Sequence, residues 1–73
     1  MPPVPILPSR EILRALKRAG FVQRRQNGSH VVMEHPVSLR VTVVPRHNPV
    51  KAGTLKSILR KSGLSLEEFL ELL

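Results

Sequence analysis

The feature that most constrains this chain is the dipeptide Asn27-Gly28, set between the runs Phe21–Arg25 and Ser29–Glu34. Both residues tolerate the positive φ that tight hairpin turns require, so the flanking runs read as an antiparallel pair of strands. A second turn signal, His35-Pro36-Val37-Ser38, follows at once, and Leu39–Val44 then sets Leu39, Val41 and Val43 against Arg40, Thr42 and Val44. That predicts a third strand, with Val41 and Val43 turned to the core. In the second strand Val31 and Met33 form the clearer apolar set, which sends His30, Val32 and Glu34 to the other face. A three-stranded meander is expected between Phe21 and Val44.

Helical patterns flank the meander. Ile12, Leu13, Leu16 and Ala19 share one side of a helix over Arg10–Ala19, with Ser9 as the expected N-cap and Gly20 as the residue that ends it. Pro45 stops the third strand. Thr54 is the expected cap of a second helix over Leu55–Ser62, closed by Gly63. Ser65 with Glu68 three residues later is a capping-box signature, and Leu66, Phe69, Leu70 and Leu73 give a short last helix its apolar stripe. Residues 1–8 hold Pro2, Pro3, Pro5 and Pro8, and read as an extended tail ahead of a single domain over residues 9–73. The order is helix, three strands, helix, helix. Burying every apolar face requires the helices on one side of the sheet, an α+β fold of the double-stranded RNA-binding type, with Leu13, Leu16, Val41, Val43, Leu55, Ile58 and Phe69 in one core.

A chain of 73 residues buries little more than about 60% of its unfolded surface, so chemistry is expected on an open face rather than in a deep pocket. Twelve Lys and Arg against five Asp and Glu give a net charge of +7, which points to a polyanionic partner. All the basic residues lie in residues 1–61, whereas residues 62–73 carry Glu67, Glu68 and Glu71 and no base. The binding surface therefore belongs to the body of the domain. With two Phe and no Tyr or Trp, base stacking is disfavoured against recognition of backbone and shape. Cysteine is absent, which excludes disulfides and thiolate chemistry. No apolar run approaches the roughly 20 residues of a membrane span, and a cytoplasmic protein without a membrane partner is expected.

Gly28-Ser29-His30 places an imidazole at the start of a strand, rigidly held yet near the rim. Imidazole changes charge near neutral pH and can take a proton from a ribose 2′-hydroxyl, the first step of metal-free RNA cleavage. On spacing alone, a surface histidine that merely tolerates a strand start is the favoured reading of the trio. His47, between Arg46 and Asn48, can reach the same end of the sheet as a second proton carrier or as a phosphate contact. His35 precedes a proline in a turn and reads as structural or inert. No close histidine pair and no Cys or Asp completes a metal site, so neither a metal nor a cofactor is expected. Lys51-Ala52-Gly53-Thr54 enters a helix whose first amides can hold a phosphate, although an ordinary N-cap explains Thr54 as well. The candidates for RNA phosphate contact are Arg14, Lys17, Arg18, Arg24, Arg25, Arg46, Lys51, Thr54, Lys56 and Arg60.

Taken together, Ile12–Phe21 (ILRALKRAGF), Gly28-Ser29-His30, Val43–His47 (VVPRH), Gly53–Leu59 (GTLKSIL) and the closing GLSLEEFL resemble the HicA family of bacterial toxins, from Ser9 to the end of the chain. The resemblance implies an mRNA interferase, an endoribonuclease that acts on mRNA without a metal and is silenced by a HicB-like antitoxin covering the active site. Carried over by position, His30 is the catalytic residue. Gly28 and Ser29 shape its turn, while Pro45-Arg46-His47 and Gly53-Thr54 mark neighbouring positions. The free toxin is expected to be monomeric. A non-catalytic RNA-binding module on the same fold is the alternative reading, and a DNA-binding regulator is disfavoured because no helix-turn-helix pair is evident.

Overall fold

The computed structural model describes residues 3–73. In chain order these form α1 (Ser9–Arg18), β1 (Val22–Asn27), β2 (His30–Glu34), β3 (Val41–Pro45), α2 (Ala52–Ser62) and α3 (Leu66–Leu72). The strands make one antiparallel sheet in the order β1-β2-β3. The expected α+β architecture is therefore present, with its elements in the expected sequence.

Burial separates the two faces of the sheet. Val31 and Met33 of β2 are fully buried, and their partners directly across β3, Val44 and Thr42, are buried with them. These side chains meet α1 and α2 in one core with Ile12, Leu16, Leu55, Ile58 and Phe69. The face expectation for β3 is overturned: Val41 and Val43 are exposed on the open side, while Thr42 and Val44 point inward. Its cause lies in the preceding turn. Leu39 sits outside the strand at φ 64°, and Arg40 returns its carbonyl to the His35 amide, so β3 begins at Val41 and its register is dictated by Val31 and Met33. An apolar residue is available in either phase of Val41–Val44, and the partner strand decides which is used.

The turns and caps also shift by a residue or more. Asn27 pairs with His30, so the two-residue hairpin loop is Gly28-Ser29 rather than Asn27-Gly28. Gly28 takes a positive φ of 56° and Ser29 does not, the requirement of a II′ loop. Ser9 is the first residue of α1 and does not cap it; the N-cap is Pro8, whose missing N–H costs nothing there. Thr54 likewise lies inside α2, whose N-cap is Lys51 without a side-chain bond. Gly63 ends α2 in the left-handed conformation, and Ser65 and Glu68 form the complete capping box of α3. Phe21, expected in the first strand, lies just before it and is buried.

His35 has a structural role. Its Nδ1 accepts the Val37 and Ser38 amides at 3.1 and 3.2 Å, and its ring meets Phe21 edge to face at 5.3 Å. The imidazole thus caps the β2–β3 turn and closes one end of the core. At the opposite end of the sheet the extended segment before α1 pairs with the loop that leaves β3. Val50 donates its amide to the Leu7 carbonyl at 2.7 Å, and Val4 and Leu7 pack against the core.

Candidate functional site

His30 is the first residue of β2, exposed, with Asn27 across one strand boundary and buried Pro45 across the other. It shares the open face with Val32 and Glu34, as the alternation in β2 predicts. The hairpin beneath it is braced twice. Gln26 Nε2 donates to the Gly28 carbonyl at 3.1 Å, and the Arg46 amide donates to the Ser29 carbonyl at 2.6 Å. The second bond joins the Gly28-Ser29-His30 turn to the loop carrying Arg46 and His47, so the motif blocks separated in sequence meet at one end of the sheet.

A bulge supplies the cations of this face. The register between β1 and β2 slips between Gln23 and Arg25, so the simple alternation that would separate Arg24 from Arg25 fails. Arg25 pairs with Val32 on the open face, and the Arg24 Nε reaches Glu34 Oε1 on that same face at 2.9 Å. On the same face Val41 and Val43 form an exposed apolar stripe along β3, and Val22 is exposed on β1 beyond Glu34. Sequence reasoning named both arginines but missed this stripe, because it placed Val41 and Val43 in the core.

The topology also aims both long helices at the His30 end. β3 finishes there, the loop 46–51 leads directly into α2, and the first amide of α1 is tied to the same loop through a 3.3 Å bond from Ser9 N to the His47 carbonyl. Helix N-termini carry partial positive charge, which adds to Arg46 and Lys51. Gly53 lies in the first turn of α2 with open space where a Cβ would stand. The described residues enclose no pocket, and no three His, Asp or Glu side chains gather among them as a metal site would require.

The remaining candidates ride on the helix layer. Arg14 is paired with Glu11, and Arg18 Nη1 donates to the Leu72 carbonyl at 2.8 Å, closing the last turn of α3. Lys17, Lys56 and Arg60 are exposed and form no ion pair among the described residues. The candidate site is thus split: His30, Arg24, Arg25 and Arg46 stand at or beside the open sheet face, and the helix-borne cations lie on the layer that covers its reverse.

The fold and this end of the sheet define a small basic α+β domain with an exposed histidine at a braced hairpin. The family model described as HicA toxin of bacterial toxin-antitoxin systems matches residues 9–64, which is most of the chain. The protein belongs to the HicA toxin family. No curated protein matches the chain.

Proposed function

We propose that this toxin is a metal-independent mRNA interferase in which His30 is the catalytic residue, and that a HicB-like antitoxin silences it by covering the His30 end. The observation that carries the reading is the placement of His30: exposed on the open face, fixed between Asn27 and Pro45, and tied through Ser29 to the Arg46–His47 loop. In this mechanism the neutral imidazole takes the proton of a ribose 2′-hydroxyl. The freed oxygen attacks the adjacent phosphorus, the P–O5′ bond breaks, and the products are a 2′,3′-cyclic phosphate and a 5′-hydroxyl. Arg25 and Arg46 offset the charge that grows on the phosphoryl oxygens, with Arg24 available when Glu34 releases it. The leaving O5′ takes its proton from His47 or, where His47 only holds the phosphate, from solvent water.

The test is His30→Ala. Binding energy comes from many dispersed charges, whereas positioned proton transfer contributes about 10²- to 10⁴-fold in rate. Cleavage and growth inhibition should therefore be lost while fold and RNA affinity persist. A 2′-deoxy nucleotide at the cut site should stop cleavage without stopping binding. Full cleavage by His30→Ala, in a preparation free of contaminating nuclease, would overturn the assignment. A native protein that binds RNA and never cuts it would leave a non-catalytic RNA-binding module.

A further inference from the structure

We infer that the proline-rich segment before α1 is a strap that positions His47 against His30, with Leu7 as its anchoring residue; the catalytic consequence rests on the function proposed above. Three hydrogen bonds converge on the loop 46–50. On one side the Arg46 amide is held by the Ser29 carbonyl of the His30 turn at 2.6 Å. On the other side Val50 donates to Leu7 at 2.7 Å in an antiparallel bridge, and Ser9 donates to the His47 carbonyl at 3.3 Å. The strap is itself seated, since Val4 and Leu7 pack against the core while Ile6 between them is exposed. Its conformation is set in advance, because Pro5 and Pro8 fix φ and suppress helical alternatives.

A loop between a strand and a helix would otherwise be the most mobile backbone near the site. Here it is clamped from both sides, and the clamp falls on His47 itself: the Ser9 amide, an orphan donor at the start of α1, takes the His47 carbonyl as its partner. Residues 4–8 lie outside the span matched by the family model. Leu7 acts on the reaction only through the loop.

The experiment compares Leu7→Asp and the milder Leu7→Ala with Ile6→Ser, which changes the exposed side of the strap. Amide exchange at Val50 and Ser9 should quicken in the Leu7 variants while the β2 and β3 amides keep their protection; Ile6→Ser should match the native protein. In RNA cleavage, Leu7→Asp should reproduce the defect of His47→Ala in the same parameter, turnover or affinity, by up to about 10²-fold, the cost of misplacing a reacting group by about 1 Å. The double variant should be no worse than His47→Ala alone. Unchanged exchange at Val50, or defects that multiply in the double variant, would overturn the strap. If Leu7→Asp does not fold, Leu7→Ala carries the same comparisons. A native protein that cuts no RNA removes the catalytic reading only, and Val50 exchange with RNA affinity then decides the strap.

Discussion

Replacing Thr42 with Val should make this protein more stable. Thr42 is 1% exposed on the inner face of β3, opposite Met33, and its Oγ1 finds no hydrogen-bond partner among the described residues. A buried hydroxyl left without a partner costs about 1–3 kcal/mol of desolvation. Valine keeps the β-branched shape that suits a strand and puts a methyl group where the hydroxyl stands, against apolar neighbours. The expected gain is about 1–2 kcal/mol, which in a domain of this size corresponds to a rise in Tm of about 4–8 °C for each kcal/mol. Urea titration and thermal melts followed by circular dichroism measure it. Thr42→Ser is the control, since it keeps the orphan hydroxyl, deletes the methyl and should destabilise. If Thr42→Val is less stable than the native protein, the hydroxyl has a partner in solution and the inward orientation of Thr42 must be reconsidered.

The inversion of β3 can be tested from its other side: Val41→Ala, on the open face, should change stability by no more than about 0.5 kcal/mol, whereas Ile58→Ala, at 2% exposure, should cost about 2–5 kcal/mol. RNA affinity should fall steeply along a salt series as Lys17, Lys56, Arg60 and the site arginines release counterions, and a flat series would disconnect the positive surface from binding. Acid should loosen α3. The backbone and hydroxyl of Ser65 hydrogen-bond to Glu68 and hold its carboxyl below its ordinary value, so the contribution is fully present above that ordinary value and is lost as pH falls through the lowered folded one. Melts from neutral to acidic pH should show a loss in the native protein that Glu68→Ala does not share; identical profiles would refute it.

What could be read in advance depended on whether one residue's neighbours in sequence settled its environment. The inward face of β2 was legible because its other phase holds His30 and Glu34, which leaves Val31 and Met33 as the only wholly apolar set. β3 gave no such contrast, and its facing was set by pairing with β2 across a turn that only the His35 and Leu39 geometry defines. The α3 cap was legible because both halves of the box, Ser65 and Glu68, stand three positions apart in the chain. Ser9 and Thr54 misled because a hydroxyl one or three residues inside a helix looks the same in sequence as one at its cap. His30 and its turn were found through motif and alternation together. The seating of Leu7 on Val50 was invisible, since nothing in either segment names the other.

The arrangement of charge follows from the same topology. α1 and α2 both begin at the end of the sheet where β3 finishes, so two N-termini, Arg46 and Lys51 crowd the neighbourhood of His30. Both helices end at the other side of the domain. There α3 packs on α1, Arg18 is bound to the Leu72 carbonyl, and Glu67, Glu68 and Glu71 add negative charge. Two cations are also paired where they stand, Arg14 with Glu11 and Arg24 with Glu34. The last turns of α1 and α2 carry Lys17, Arg18, Arg60 and Lys61, so side-chain cations stand at both ends of the helix layer, and the helix N-termini are what set the His30 end apart. Under the proposed function, a polyanion drawn in by the net charge would find cations along the whole helix layer and helix N-termini only at the end that holds His30 and His47. On that reading helix direction, more than the count of side-chain cations, would orient the substrate.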